Sequence, residues 1–278
     1  MFTTIGMLAS RPVISIDIEA RVSEAFQLMN ARRISCIVVL FRGEPVGILT
    51  ERDVVFAANW VVSDPNLRMR EVMSKPVLAV SGATSLTEAY QIFREQKIRH
   101  LVVLGADLEM EGIFTQTDLV RALATKLFAQ VPDISTLMTS TVWQLPPQAP
   151  VRQALALMAA HAISGVVVVE ELLPVGIFTE RDAVRLIAEG TDLANVALGS
   201  VMSTPVLTTT PSVPPRQAFE RMREHAIRRL VVVNDQGQPA GVLTQTDLSR
   251  VLDQTHSVLP MELLGTLTSQ DGIQPYAN

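Results

Sequence analysis

Four Thr-x-x-Asp pairs recur along this sequence, each of them preceded by a glycine and two apolar residues. The stretches are GILTERD from Gly47, GIFTQTD from Gly112, GIFTERD from Gly176 and GVLTQTD from Gly241. A threonine that caps a helix, with an acidic residue at the third helical position, satisfies the first backbone amides of that helix. Glu or Gln usually completes such a cap, so we expect the shorter Asp to reach the amide less easily and to stay free for a ligand. Both roles can coexist.

Catalytic and metal-binding patterns do not appear among the other reactive residues. His100, His161, His225 and His256 show no HExxH or similar spacing, and neither a Gly-x-Ser-x-Gly nor a P-loop is present. His161 and His225 stand where a predicted helix ends, a position that favours a cation. The single cysteine, Cys36, excludes an internal disulfide and a thiolate metal site. The sequence predicts a protein that is not an enzyme and uses no cofactor.

The composition is that of a folded protein without affinity for nucleic-acid polymers. Of 278 residues, 48% are apolar and 18% are charged, and the net charge is −5. Nucleic-acid binding normally uses clustered Lys and Arg. The longest apolar runs, such as CIVVLF from residue 36, fall far short of the ~18 residues of a membrane helix. Because the N-terminus also lacks a secretion signal, we expect a cytoplasmic protein with no membrane partner.

The Thr-x-x-Asp pairs belong to a longer repeat, since their glycines recur every 64 or 65 residues. Each unit opens near Met-x-x-Pro-Val or a relic of it, as in MSKPV from residue 73 and MSTPV from residue 202. A stretch of helical period follows, then a β-branched strand, a turn, a short strand into Thr-x-x-Asp and a second helix. The order β-α-β-β-α predicts an α/β fold of the α+β kind. Units of about 55 residues are expected to share cores in pairs.

The repeats alternate in two independent features. Repeats one and three read TERD and carry small residues before the buried strand, whereas repeats two and four read TQTD and carry a basic pair there. The small residues are Ser35-Cys36 and Ser164-Gly165. Both features give the same grouping, so the duplicated piece was a pair of repeats.

The repeat order, the Met-x-x-Pro-Val openings and the four motifs resemble the cystathionine-β-synthase-like (CBS) domain family over roughly residues 7 to 254. The resemblance implies two tandem pairs of repeats, called Bateman modules. Module one is expected at 1–130, with repeats at about 7–58 and 69–125, and module two at 131–254, with repeats at about 134–188 and 198–254. Residues 255–278 are expected to be a tail or a linker to an output domain.

The resemblance also implies an adenosine-containing ligand between paired repeats, with AMP, ADP or ATP expected first. In the family, the motif Asp takes the ribose diol with the Thr hydroxyl nearby, and basic residues of the partner repeat meet phosphates. Carried over by position, the ribose side comprises Thr50, Asp53, Thr115, Asp118, Thr179, Asp182, Thr244 and Asp247. The phosphate side comprises Arg99, His100, Arg228 and Arg229. An ionised carboxylate can accept both hydroxyls of a diol, and the planar fork of Arg suits a phosphate.

The alternation predicts two unequal clefts in each module. We call a cleft odd when its aspartate comes from an odd repeat and even when it comes from an even repeat. The odd cleft of module one would combine Asp53 with Arg99 and His100, and that of module two would combine Asp182 with Arg228 and Arg229. Both odd clefts would hold phosphorylated nucleotides. The even clefts would join the even-repeat Asp to small residues, and would be empty or hold an uncharged adenosine group. Adjacent strand residues point to opposite faces, so at most one of each basic pair is expected to line a cleft. Arg52 and Arg181 either add to the odd clefts or face water.

The sequence therefore predicts a non-enzymatic sensor of adenine nucleotides that signals through changed repeat packing. The alternatives are a scaffold or dimerisation protein with vestigial clefts, and a sensor of S-adenosylmethionine or a dinucleotide. A homodimer is expected in either case, together with a partner protein or an output domain that receives the signal.

Overall fold

The computed structural model describes residues 3–123, 128, 131–254 and 273–275. Within these ranges each repeat contains a small sheet whose first strand runs parallel to the second, while the second pairs antiparallel with the third. Helices precede the second strand and follow the third. The expected α+β fold of four β-α-β-β-α repeats is confirmed.

The first two repeats contain the following elements. Repeat one has α1 (Ile5–Leu8), β1 (Ser15–Asp17), α2 (Val22–Arg32), β2 (Cys36–Phe41), β3 (Glu44–Thr50) and α3 (Glu51–Ser63). Repeat two has α4 (Met69–Val72), β4 (Leu78–Ser81), α5 (Leu86–Glu95), β5 (His100–Leu104), β6 (Met110–Thr115) and α6 (Gln116–Leu123).

The last two repeats follow the same order. Repeat three has β7 (Gln144–Leu145), α7 (Val151–His161), β8 (Gly165–Glu170), β9 (Leu173–Thr179) and α8 (Glu180–Ala188). Repeat four has α9 (Leu198–Val201), β10 (Thr208–Thr209), α10 (Pro215–Glu224), β11 (Arg229–Val233), β12 (Pro239–Thr244), α11 (Gln245–Ser249) and α12 (Val251–Gln254). Strand β13 (Ile273–Pro275) pairs antiparallel with β4. The rest of the expected tail, with His256, lies outside the described residues.

The periodicity of the sequence explains what each element buries. In α2 the stripe Val22, Ala25, Phe26 and Met29 faces the core, as a 3.6-residue period requires. The second strands are buried on both faces; the three central residues of β2, for example, have no exposed surface. Such strands need apolar residues in unbroken succession.

Paired repeats exchange their opening segments. The opening of repeat two hydrogen-bonds the last strand of repeat one, with Ser74 N donating to the Ile48 carbonyl at 2.9 Å. The opening of repeat one does the same to repeat two, with Ser10 N donating to the Ile113 carbonyl at 2.8 Å. Module two repeats the exchange through the bridges Thr139 to Val242 and Ser203 to Ile177. Repeats one and two thus form one unit, and repeats three and four another.

The exchange explains the motif glycine. A Cβ atom on Gly47 would lie 2.5 Å from Sδ of Met73, the methionine that opens repeat two. Met202 crowds Gly176 in the same way, and Met138 lies 3.0 Å from a Cβ on Gly241. The methionine of Met-x-x-Pro-Val therefore packs on the bare backbone of the partner's Gly-h-h-Thr motif.

The two modules meet through helices, so that repeat one faces repeat three and repeat two faces repeat four. Helix α3 packs on α8, and α6 packs on α11. Val55 of repeat one joins the core of repeat three, and Val184 of repeat three joins the core of repeat one. Repeats two and four share one continuous core. Among the described residues, no helix is both long and apolar enough to cross a bilayer.

Candidate functional site

All four motif aspartates cap the helix that follows them. In repeat one, the backbone N–H and the hydroxyl of Thr50 both donate to Oδ2 of Asp53, at 2.7 and 2.6 Å. The other three pairs repeat these bonds, with N to Oδ2 distances of 3.0 Å at Asp118, 2.9 Å at Asp182 and 2.8 Å at Asp247. The expectation that Asp reaches the amide less easily is wrong. The extended backbone at the threonine turns its N–H towards the carboxylate, so the short side chain suffices.

Capping uses one carboxylate oxygen and leaves the other for different partners. Oδ1 of Asp53 accepts from Ser74 Oγ at 2.8 Å, and Oδ1 of Asp182 accepts from Ser203 Oγ at 3.1 Å. Both serines follow the opening methionine of the partner repeat. Sequence reasoning missed them, although MSKPV and MSTPV carried the signal.

The even-repeat aspartates also have an arginine three residues further along the chain. Oδ1 of Asp118 lies 3.6 Å from Arg121, and Oδ1 of Asp247 lies 3.2 Å from Arg250, as Oδ1 of Asp182 lies 3.6 Å from Arg185. Burial raises the pKa of Asp247 above its ordinary value, although hydrogen bonds from Thr244 and from Thr139 of the partner repeat oppose the shift. Thr139 follows the opening Met138 and so corresponds to Ser74 and Ser203.

Two cavities bring together the residues assigned to the odd clefts. In module one, a cavity of about 340 Å³ is lined by Thr50 and Asp53 of repeat one and by Arg99 and His100 of repeat two. In module two, a cavity of about 390 Å³ is lined by Thr179 and Asp182 of repeat three and by Arg228 and Arg229 of repeat four. The first cavity also has an apolar part of its lining: Pro76, Val77, Leu78 and Ile98. The fold thus joins an odd-repeat carboxylate to even-repeat cations.

Both members of each basic pair contribute to a cavity wall, so the expectation of at most one is wrong. Strands β5 and β11 begin at His100 and Arg229, and the preceding arginine belongs to the loop that enters the strand. Strict alternation of side chains does not apply at that junction. The two residues still diverge in their contacts.

The second member of each pair is buried against the odd repeat. His100 Nε2 lies 2.9 Å from Ser35 Oγ, and burial lowers the pKa of His100 to about 3, so the ring is neutral near pH 7. Arg229 Nη1 donates to the Ser164 carbonyl, and burial lowers the pKa of Arg229 to about 10, which leaves it charged. The two odd clefts therefore differ by one positive charge.

The first member of each pair binds a buried glutamate of the opposite module. Arg99 Nη2 donates to Glu180 at 2.8 Å, and Arg228 Nη2 donates to Glu51. Both glutamate side chains are only 2% exposed. Burial alone would raise the pKa of Glu51, but the charges of Arg228 and Arg181 hold that pKa below its usual value. Sequence reasoning missed both glutamates; the signal was Glu in TERD where TQTD has Gln.

The side chains of Arg52 and Arg181 lie at the odd clefts and are partly exposed. Each lines the cavity of its own module. Arg181 Nε donates to Glu51 at 2.9 Å, and Arg52 Nε lies 3.8 Å from Glu180. Each buried glutamate therefore contacts two arginines that line the odd cleft of the other module.

The even cleft of module one is more basic than its neighbouring small residues suggested. Thr115 meets Ser35 and Cys36 at a cavity of about 430 Å³, which extends to α10 of repeat four. Its wall includes Arg33, Arg121, Arg181, Arg223 and Arg228. The expectation of a cleft lined by small uncharged residues is wrong, because three of these arginines come from the other module. Burial raises the pKa of Cys36 to about 12, so its thiol stays protonated.

The TQTD helices meet at the centre of the molecule through reciprocal hydrogen bonds. Thr117 Oγ1 donates to Gln245 Oε1 at 2.6 Å, and Thr246 Oγ1 donates to Gln116 Oε1 at 2.7 Å. A small cavity of about 50 Å³ lies beside them, and Arg99, Arg228 and Arg229 reach its wall. The modules are thus related by an approximate two-fold axis.

The remaining histidines have structural contacts. His161 is the last residue of α7 and stacks on Trp143, with ring centroids 3.7 Å apart, while His225 is the C-cap of α10. Over residues 3–123 and 131–254, no group of three His, Cys, Asp or Glu side chains is placed to hold a metal ion.

Comparison with known proteins agrees with this architecture. A model of the CBS domain matches residues 5–59, 69–125, 133–189 and 198–254. Protein MK0525 of Methanopyrus kandleri is 36% identical over 96 residues, which are 34% of this chain and 49% of MK0525, so the match spans about half of that relative. The CBS domain-containing protein YhcV of Bacillus subtilis is 32% identical over 117 residues, 42% of this chain and 82% of YhcV.

Among solved structures, protein MJ1225 of Methanocaldococcus jannaschii, a proposed archaeal homologue of g-AMPK, superposes with a TM-score of 0.81. The identity is 19%, and the superposition covers 90% of this chain and 99% of MJ1225. That likeness shows the fold of the whole four-repeat assembly. With four matched segments that together make up most of its length, the chain belongs to the CBS domain family.

Proposed function

We propose that the protein is a non-catalytic sensor that binds a phosphorylated adenosine, with AMP, ADP or ATP as first candidates, in its two odd clefts. The observation that carries the proposal is the pairing of Asp53 with Arg99 across one cavity, repeated by Asp182 and Arg228. A carboxylate and an arginine at opposite ends of an apolar slot fit a ligand with a diol, a flat base and a phosphate. The cavity volumes fall within the ~300 to 1,000 Å³ range of small-molecule sites.

Each end of the slot has a defined role. Oδ1 of Asp53, held by Ser74, would accept from the ribose diol, and Thr50 would lie beside it. The adenine would pack against Pro76, Val77 and Ile98. Arg99 and Arg52 would meet the phosphate. Module two offers the same roles to Thr179, Asp182, Ser203, Arg181 and Arg228, with Arg229 as an additional charge.

The ligand would signal by bridging two repeats. Its contacts divide between an odd and an even repeat, so binding favours one relative arrangement of the pair, by as much as the affinities for two arrangements differ. Because the modules 1–130 and 131–254 meet at the phosphate ends of these clefts, that change would pass between modules and on to a partner protein or output domain. Formation of a homodimer belongs to the same proposal.

A second ligand class is favoured by the even cleft of module one. Its five arginines suit a ligand with several phosphates, and its apolar wall, which includes Phe219 and Met222, suits a base. A dinucleotide has both features. Thr115 lines that cleft and hydrogen-bonds Asp118; this pair would form the ribose end, and Thr244 and Asp247 would do so in module two. S-adenosylmethionine, which is cationic, fits this wall less well.

Thermal unfolding with AMP, ADP, ATP, NAD, S-adenosylmethionine and cyclic dinucleotides tests the proposal. A ligand at ~100 times its dissociation constant adds about 2.7 kcal/mol to the free energy of unfolding. Asp53→Ala and Asp182→Ala should each remove a large part of the AMP effect, whereas Asp118→Ala and Asp247→Ala should retain it. All four variants lose a helix cap, so each serves as a stability control for the others. No shift with any ligand would leave the scaffold alternative, in which the clefts are vestigial.

A further inference from the structure

We propose that Glu51 and Glu180 are internal competitors for phosphate: each occupies, in the free protein, the two arginines at the phosphate end of the opposite module's odd cleft. This inference rests on the proposed function and deepens it, since it concerns how the same clefts select and report a phosphorylated ligand.

The contacts are crossed between the modules. Glu180 of repeat three accepts from Arg99 of repeat two at 2.8 Å and lies 3.8 Å from Arg52 of repeat one. Both arginines line the odd cleft of module one. The mirror set joins Glu51 to Arg181 and Arg228 at the odd cleft of module two. A phosphate that binds either pair of arginines must compete with a carboxylate that already contacts them.

The balance of charge leaves the arginines short of anions. Two buried glutamates and the two cleft aspartates, Asp53 and Asp182, are four carboxylates near five arginines: Arg52, Arg99, Arg181, Arg228 and Arg229. His100 is neutral and adds nothing. Arg52 and Arg99 lie close enough that burial and the charge of Arg99 lower the pKa of Arg52, although Glu180 and Asp53 oppose the shift. An incoming phosphate therefore relieves repulsion between arginines that these carboxylates do not fully cancel.

Competition arises because a guanidinium has few positions for a bidentate partner. Arg99 is only 20% exposed and directs Nη2 at Glu180. A phosphate on the same donors must displace the carboxylate, and a buried carboxylate without its partner costs several kcal/mol. Glu180 would then have to move out of its pocket.

The displaced glutamate belongs to the other cleft's own helix. Glu180 is the first residue of α8, between Thr179 and Asp182, which line the odd cleft of module two. Glu51 stands in the same way between Thr50 and Asp53. Phosphate in one cleft thus displaces a glutamate that belongs to the first helical turn beside the other cleft. This displacement couples the two sites across the module interface.

The test is calorimetric titration of AMP and of adenosine into the Asp182→Ala protein, in which, of the two odd clefts, that of module one is intact. Adding Glu180→Gln, which keeps the shape and removes the charge, should tighten AMP by about tenfold or more and leave adenosine unchanged. Glu19→Gln in the same background is the matched control, because Glu19 pairs with Arg70 on the surface and lines neither odd cleft, and it should change neither affinity by more than about twofold.

The outcomes separate this inference from the proposed function. Failure of the Asp182→Ala protein and of the wild type to bind either compound overturns the proposed function and the inference with it. Binding of AMP that is unchanged or weaker with Glu180→Gln overturns the inference alone. If Glu180→Gln does not fold, Glu180→Asp retains the charge at a greater distance from Arg99. It should tighten AMP by a smaller factor and leave adenosine unchanged, and an unchanged AMP affinity would again overturn the inference.

Discussion

The guanidinium of Arg229 lies in the space that a side chain at residue 165 would fill, because a Cβ atom on Gly165 would collide with its Nη1. In module one the corresponding positions hold Cys36, which is larger than glycine, and His100, which is smaller than arginine. A Cβ atom on Gly165 would also lie 2.8 Å from the Phe178 carbonyl, so the arginine and the backbone of β9 both require the glycine. Its own φ lies outside the left-handed region, so the requirement is one of space.

We expect Gly165→Cys to destabilise the protein by about 1 to 3 kcal/mol, because the new side chain forces Arg229 out of its bond to the Ser164 carbonyl. Adding Arg229→His recreates the pair found in module one and should recover part of the loss, while the close approach to the Phe178 carbonyl remains. Chemical unfolding of the two variants measures both effects. A double variant no more stable than the single one would show that Arg229 is not a reason for the glycine at residue 165.

The opening methionine and the motif glycine form a second pair of this kind. A Cβ atom on Gly176 would contact Sδ of Met202 from the partner repeat. Gly176→Ala should therefore cost about 1 to 3 kcal/mol by overpacking. In a protein that already carries Met202→Ala, the same change should cost much less, because the obstructing atoms are gone. Equal costs in the two backgrounds, measured by urea unfolding, would refute the contact as the reason for the glycine.

Much of this architecture could be predicted from the sequence because it is periodic. The recurrence of glycines every 64 or 65 residues indicated four units, and the alternation of TERD with TQTD indicated pairs. Pairing then placed Asp53 near Arg99 and Asp182 near Arg228, as the two cavities show. Each of these inferences depended on contacts within a module, where the repeat itself fixes which segments face each other.

The contacts between modules could not be predicted from the repeat pattern. Nothing in a repeat pattern states that Glu51 meets Arg228, because this depends on how two finished modules dock through α3 and α8. The five arginines of the even cleft were missed for the same reason, since three of them come from module two. The cap geometry of Asp53 was misjudged because side-chain length alone does not fix the reach of a carboxylate.

Stability should depend on pH through His100. In the unfolded chain its pKa is near 6.5, whereas in the folded protein burial lowers the pKa to about 3, so the unfolded state takes up a proton first as the pH falls. Its contribution is therefore fully present above pH 6.5 and is lost as the pH drops towards 3. Between pH 7 and pH 5 this one residue should remove about 2 kcal/mol of unfolding free energy.

Replacement of His100 by Gln isolates the contribution of His100 to the pH dependence of the unfolding free energy. Glutamine retains a polar group for Ser35 Oγ but does not titrate. The difference in unfolding free energy between wild type and His100→Gln should shrink by about 2 kcal/mol from pH 7 to pH 5. The other histidines are present in both proteins and cancel. Parallel pH profiles for the two proteins would mean that His100 is already protonated in the folded state at pH 5.

The reciprocal bonds between the TQTD helices should hold the two modules in register. Thr117→Val removes the hydroxyl that donates to Gln245 and leaves a partly buried acceptor without that donor, at a cost of about 1 to 3 kcal/mol. Gln245→Ala should cost a similar amount alone. Because the two side chains share one bond, the double variant should cost about 0.5 to 1.5 kcal/mol less than the sum. The symmetry-related residues Thr246 and Gln116 provide the matched control and should give a coupling of similar size. Additive losses in both cycles would show that these two hydrogen bonds do not hold the modules together.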